Sequence, residues 1–169
     1  MKIMKTEKSD STNSQQAYLA GGCFWGVEEA FRKLPGVVKT TVGYAGGHTE
    51  KPTYENVCSG TTGHAETVEI EFDPSKITLK EILNKFWEIH DPTTPNRQGP
   101  DKGSQYRSAI FYVNEEQKQK ALKSKEEQEE SEKFPGTIVT EITPLKSENF
   151  YRAEEYHQKY LMKKGVSVC

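Results

Sequence analysis

Gly21-Gly22-Cys23-Phe24-Trp25-Gly26 places a thiol where a short apolar strand turns into an amphipathic helix. The unpaired backbone N–H groups and the dipole of a helix N-terminus favour an anion there. In that setting a cysteine pKa can fall from ~8.5 into the range ~3.5–7.5, which makes the sulfur a nucleophile at neutral pH. Phe24 and Trp25 follow at once. A nucleophilic sulfur beside an aromatic wall suits a substrate with a small apolar group next to an electrophilic centre. The motif equally fits a structural cysteine packed by two core aromatics, the commoner fate of a buried thiol. On these residues alone both readings stand.

Other residues join it by pattern. His64 to Phe72 alternates, with Val68, Ile70 and Phe72 on one face and Glu69 and Glu71 on the other. Glu66 has the parity of Val68 and points to the apolar side. Desolvation favours the protonated form of such a carboxyl, and a neutral acid can serve as general acid or hydrogen-bond donor. A strand-end carboxyl that reaches water is the competing reading. Tyr54 lies in the long Gly46–Gly63 connection, and Tyr106 opens an apolar run just after the Asp91–Gln105 loop. Either is a packing aromatic or a hydroxyl donor. Asp101 sits in that second loop between Pro100 and Gly103, where an aspartate usually makes a turn. Cys169 follows Lys163-Lys164-Gly165 on a tail expected to be mobile. It is either inert or a resolving thiol, which attacks an oxidised partner. Cys58, between Val57 and Ser59, is expected to be packed and inert.

The elements that must position these groups follow from periodicity. Residues 1 to about 16 are polar and read as a disordered tail. Ala17–Ala20 predicts a strand, and Phe24, Val27, Phe31 and Leu34 predict a helix stopped by Pro35-Gly36. Val37–Ala45 and His64–Phe72 predict two further strands. Thr78 and Glu81 form a capping box for a helix whose face is Leu79, Ile82, Leu83, Phe86 and Trp87. Tyr106–Val113 predicts a strand covered on both faces. A polar helix over Glu115–Lys133, a strand over Thr137–Thr143 and a helix over Phe150–Lys164 complete the chain. The first six elements have the split βαβ, ferredoxin-like order. The expected fold is therefore α/β (α+β): a two-layer sandwich on a mixed sheet, with a C-terminal extension. One catalytic domain over 17–164 is expected, followed by a tail over 165–169.

The totals bound the function. The chain has 169 residues, a formal net charge of −2 and three cysteines. No basic stripe suggests nucleic acid and no apolar run is long enough to span a membrane. The first residues lack the apolar stretch of a secretory signal. An odd number of cysteines argues against a disulfide framework and fits a reducing cytoplasm. With no CxxC pair and scattered histidines, no metal or other cofactor is expected. A monomer is expected because no extended apolar surface stands out.

Six motifs in this order resemble the A class of peptide methionine sulfoxide reductases over nearly the whole chain after residue 16. They are Gly22-Cys23-Phe24-Trp25-Gly26, Val42-Gly43-Tyr44-Ala45-Gly46-Gly47, Pro52-Thr53-Tyr54-Glu55-Asn56-Val57 and Gly63-His64-Ala65-Glu66. Phe86-Trp87-Glu88-Ile89-His90-Asp91-Pro92-Thr93 and the run Gln98 to Ser108 complete the set. The resemblance implies an α/β sandwich and reduction of the S epimer of methionine sulfoxide, free or in proteins. It implies Cys23 as nucleophile, and Phe24 and Trp25 as the wall for the S-methyl group. Glu66 would be the acid at the sulfoxide oxygen, with Tyr54 and Tyr106 assisting and Asp101 near the substrate backbone. A Cys23 sulfenic acid would pass to a disulfide that thioredoxin reduces. Many members carry two cysteines in a glycine-rich C-terminal tail, and this chain has Cys169 alone there. The resemblance thus implies a Cys23–Cys169 disulfide, with Cys58 or an external thiol as substitute. The competing function is a cysteine-dependent acyl hydrolase or transferase, which pairs its thiol with a histidine base. His48, His64, His90 and His157 stand in no recognisable partner motif for that chemistry. A non-catalytic ferredoxin-like binding module is a second competitor, in which Cys23→Ser changes nothing beyond stability.

Overall fold

The computed structural model describes residues 13–165. Four strands form the heart of the sheet: β1 (Gln15–Gly21), β2 (Val37–Ala45), β3 (Ala65–Phe72) and β6 (Ser108–Tyr112). Between them run α1 (Phe24–Arg32), the short α2 (Tyr54–Cys58), α3 (Leu79–Ile89), and a hairpin of β4 (Arg97–Gln98) and β5 (Asp101–Lys102). After β6 come α4 (Glu115–Glu130), β7 (Glu141–Pro144), β8 (Tyr151–Arg152) and α5 (Tyr160–Lys164). The sheet order is β7-β6-β1-β3-β2-β8. Its central strands are antiparallel neighbours, as a split βαβ core requires, and β7 joins β6 in parallel. The expected mixed α/β sandwich is what the chain forms.

Alternation along the strands divides the apolar residues between two faces. Leu19, Val42, Val68, Ile70, Phe72 and Ile110 meet Phe24, Val27 and Phe31 of α1 and Ile82, Leu83 and Phe86 of α3 in the main core. A smaller cluster on the opposite face holds Tyr18, Ala20, Ala45, Ala65, Ala109 and Phe111. β6 contributes to both clusters, as a strand covered on two sides does. The Thr78 hydroxyl accepts the Glu81 N–H at 3.1 Å and the Glu81 carboxylate accepts the Thr78 N–H at 2.9 Å, which closes the predicted capping box. Trp87 Nε1–H donates to Ser124 Oγ at 2.8 Å and ties α3 to α4.

Four boundaries differ from expectation, each for a tertiary reason. β1 begins at Gln15, inside the stretch read as tail. Gln15 and Gln16 pair with Phe72 and Glu71, and the Gln117 amide donates to Gln16 O at 2.7 Å. Tyr106 is not in a strand but ends a 3-10 turn over Ser104–Tyr106, and β6 begins two residues later. The strand expected from Thr137 starts only at Glu141, because Val139 N–H is taken by Pro92 O at 2.8 Å. The helix expected over Phe150–Lys164 shrinks to α5. Lys159 stands at φ 53° in left-handed backbone, and the residues before it are held out of helix by side-chain bonds to the rest of the fold.

Antiparallel pairing gathers several chain ends at one edge. The end of β1 lies beside the start of β6 through Gly21 and Ser108, and the end of β2 beside the start of β3 through Ala45 and Ala65. Cys23, Glu66 and Tyr106 each lie within two residues of those junctions.

Candidate active site

Gly21 and Gly22 bring the chain from β1 into α1 where a side chain has little room. A Cβ on Gly21 would lie 3.1 Å from the His90 ring, and one on Gly22 would lie 2.8 Å from Gln98 Cγ. Gly22 also stands at φ +102°, a conformation that glycine adopts without strain. Cys23 is the N-cap of α1 and half-buried, and its carbonyl accepts the Val27 N–H at 3.4 Å. The next backbone N–H, that of Phe24, donates to Glu66 Oε1 at 3.1 Å. Glu66 is 2% exposed. The carboxyl inferred from strand parity thus sits against the helix N-terminus that also carries the thiol.

Two tyrosines close on this pair. Burial, with the acidic groups Glu66, Cys58, Asp101 and Cys23 around it, pushes the Tyr106 hydroxyl up to about 12. Burial likewise pushes the Tyr54 hydroxyl well above the usual tyrosine range, followed by its bond to Cys58 and the charge of Glu66. Both therefore remain O–H donors at any physiological pH. Asp101 is half-exposed at the turn of the β4–β5 hairpin, paired with Gln98. The Gln98 amide brackets Asp91, accepting its N–H and donating to its carbonyl at 2.8 Å each. That fixes the hairpin over Gly22.

Phe24 and Trp25 are joined by aromatic residues that the sequence did not single out. Phe24 is buried, with its ring 5.7 Å from Tyr44, 6.5 Å from Tyr54 and 5.2 Å from His157. Trp25 is half-buried and stacks on Tyr160 at 3.8 Å. Its indole N–H donates to His157 Nδ1 at 3.0 Å. His157 is fully buried, and its Nε2 has no hydrogen-bond partner among the described residues. Since Nδ1 accepts, the neutral ring carries its hydrogen on Nε2. Burial holds its pKa below the ordinary histidine range, opposed by Glu154. The spacing of Glu154, His157 and Gln158 in a run read as helix was the available signal for this second wall. It pointed to one polar face, not to a site.

Cys58 corrects an expectation. It is exposed, not packed, because α2 turns Val57 inward and ends at Cys58. Although the residue as a whole is exposed, partial desolvation of its sulfur, with the charges of Glu66 and Glu154, pushes the thiol up, against the opposing hydrogen bond that the Tyr54 O–H donates to it. Cys23, Phe24, Trp25, Tyr54, Glu66, Asp101 and Tyr106 are thus brought to one site, and Cys169 lies outside the described residues. Among the described residues no group of His, Cys, Asp and Glu is placed to hold a metal ion.

The arrangement sets a thiol, a carboxyl and two tyrosine hydroxyls beside a cluster of aromatic rings. Comparisons of the whole chain with known proteins converge on one description. The sequence model for "peptide methionine sulfoxide reductase" matches residues 15–169. A peptide methionine sulfoxide reductase MsrA of Methanosarcina acetivorans is 62% identical over 151 residues, covering 89% of this chain and 79% of that protein. The structure of methionine sulfoxide reductase A of Corynebacterium diphtheriae superposes with a TM-score of 0.87 at 43% identity, over 93% of this chain and 78% of that one. Mxr1 of Saccharomyces cerevisiae in reduced form superposes with a TM-score of 0.85 at 43% identity, over 92% and 88% of the two chains. The same protein in complex with Trx2 gives a TM-score of 0.62 at 31% identity, over 89% and 87%.

Proposed function

The chain belongs to the peptide methionine sulfoxide reductase family, and we propose that Cys23 is the nucleophile with which it reduces the S epimer of methionine sulfoxide. The observation that carries this reading is the Phe24 N–H bond to Glu66, which sets acid and thiol on one helix N-terminus. A sulfoxide sulfur is a poor electrophile until its oxygen is protonated or strongly hydrogen-bonded. Glu66, entering the cycle as the neutral acid, supplies the proton, and the Tyr54 and Tyr106 hydroxyls add donors to the developing charge. The S-methyl group rests against Phe24 and Trp25, and Asp101 meets the substrate backbone. The Cys23 thiolate attacks sulfur, the oxygen is transferred to Cys23, and methionine leaves. Cys23 becomes a sulfenic acid and Glu66 is left as carboxylate.

The second half of the cycle spends two thiols. Cys169 attacks the sulfenic acid, water leaves, and a Cys23–Cys169 disulfide forms. A thioredoxin then reduces it by exchange, a partner supported by the complex of the similar Mxr1 with Trx2. Exposure of Cys58 beside Glu66 favours a second assignment for the resolving thiol. A peptide map of the oxidised protein decides between Cys23–Cys169 and Cys23–Cys58. The enzyme is proposed to act as a monomer in the cytoplasm, repairing oxidised proteins. No helix among the described residues is long and apolar enough to cross a membrane.

The test of the reaction uses separated S and R epimers of a methionine sulfoxide peptide with a dithiol. Reduction of the S epimer alone, lost in Cys23→Ser, is expected. Absence of reduction, with acylation of Cys23 by an ester substrate instead, would overturn the assignment in favour of acyl transfer.

A further inference from the structure

Glu154 sits on the segment between β8 and α5 and contacts neither Cys23 nor Glu66 through any of the bonds described above. Its carboxylate spans two elements. Oε2 accepts the Tyr54 N–H at 2.9 Å, a bond between residues 100 apart in the chain, and Oε1 accepts the Tyr44 O–H at 2.9 Å. Tyr54 is the first residue of α2, so its N–H is one that the helix itself cannot satisfy. A five-residue helix has no stability of its own. Thr53 and Asn56 cap it locally, which gives it shape but no address. Tyr44 supplies the fixed point: it is fully buried and lies opposite Glu66 in the β2–β3 register. Through Tyr44 and Glu154, the backbone of Tyr54 is referred directly to the strand pair that holds the acid.

We propose that Glu154 is a positioning residue for sulfoxide reduction, clamping α2 so that the Tyr54 hydroxyl stands at the sulfoxide oxygen. The inference rests on the reading of Tyr54 as a catalytic donor. The Tyr54 ring has the packing that makes a clamp at its backbone sufficient: it lies 4.4 Å from His157 and 6.5 Å from Phe24. With the backbone held, the ring is confined between His157 and Phe24, and the hydroxyl has only to turn from Cys58 toward the substrate. The role needs two acceptors on one side chain, which a carboxylate provides. Burial pushes the Glu154 carboxyl up, but its bonds from Tyr54 and Tyr44 hold it below the usual range, so it remains a carboxylate. Glutamine still accepts the Tyr54 N–H but can only donate to Tyr44, whose hydroxyl must turn and give up its charge-assisted bond to a carboxylate, and aspartate is one methylene too short for the span.

The experiment measures single-turnover methionine formation from the S-sulfoxide of N-acetylmethionine amide, without reductant. The proteins are wild type, Glu154→Gln, Tyr54→Phe and the double variant, with thermal unfolding as a check on the fold. Loss of one charge-assisted hydrogen bond is expected to slow Glu154→Gln about tenfold, with substrate affinity little changed. In the Tyr54→Phe background the same substitution is expected to cost nothing further, because the clamp then has no hydroxyl to place. An equal loss in both backgrounds, or an unchanged rate in Glu154→Gln, overturns the role. Tyr44→Phe, which removes only the fixed point, repeats the test if Glu154→Gln does not fold. A wild-type rate in Tyr54→Phe overturns the inference by removing its premise. No methionine from the wild type would instead refute the proposed reaction.

Discussion

Glu66 has two tasks in the proposed reaction: to protonate the sulfoxide oxygen and to leave a carboxylate behind. Glu66→Gln keeps the volume and a donor but has no proton to give. We expect kcat to fall about 10²–10⁴-fold, the range of general acid catalysis, while the S-over-R preference, set by the aromatic wall, persists. Steady-state assays of both epimers check this. Tyr106 makes a sharper prediction because its hydroxyl is pushed up to about 12 by burial and the acidic groups around it. As pH rises its proton is retained to about 12. An alkaline limb below pH ~10 therefore belongs to another group. Tyr106→Phe should lower the rate at every pH and leave the profile's shape unchanged; a displaced alkaline limb in that variant would contradict the assignment. These residues were readable because their chemistry is local. Cys23, Phe24 and Trp25 are contiguous, and strand parity alone turned Glu66 inward. His157 and Glu154 were not readable, because their partners Trp25 and Tyr54 are 132 and 100 residues away.

Strands and helices with strong periodicity were legible for the same reason. α1, α3, β2 and β3 each carry an apolar stripe that only one kind of element can bury. The segment from Phe150 to Lys164 was misread because its helical spacing is genuine yet overruled. The Gln158 amide is bonded to both the N–H and carbonyl of Val42, and Glu28 accepts the Lys159 N–H at 2.7 Å. Those ties satisfy buried groups that a continuous helix would leave unpaired. The turn from β1 to α1 yields a prediction of its own. Gly22→Ala adds a Cβ at positive φ and drives it against Gln98, the side chain that brackets Asp91. We expect a stability loss of about 1–3 kcal/mol and a raised KM, since the displaced hairpin carries Asp101. Urea unfolding and steady-state kinetics test this together, and a wild-type midpoint with a wild-type KM would contradict it.

Across the molecule, stability and the site share the buried end of the sheet. His90 lies beneath Gly21, its Nδ1–H donating to Phe86 O at 2.7 Å and its Nε2 2.8 Å from the Ser108 hydroxyl. Burial lowers its pKa from 6.5 to about 4, against the opposing pull of Phe86 and Asp91. The unfolded chain therefore takes up the proton first as pH falls. The contribution of neutral His90 is full above pH 6.5 and is lost down to about 4, below which no more is lost. At 1.36 kcal/mol per unit the loss is about 3 kcal/mol. Urea unfolding between pH 7 and 4 should show that slope, reduced in His90→Gln; an equal slope in the variant would refute it.

The central claim is that one thiol, Cys23, takes the oxygen from the sulfoxide. We would mix the reduced wild-type protein with the S-sulfoxide and a sulfenic-acid-trapping dione in the absence of reductant, then count methionine and map the adduct. The account predicts one methionine per chain from Cys23 attack, with any excess coming only from Cys23 freed by later thiol exchange, and the dione adduct or a disulfide on Cys23. Methionine formed with Cys23 unmodified, or a primary adduct on Cys58 with Cys23 still reduced, would contradict it.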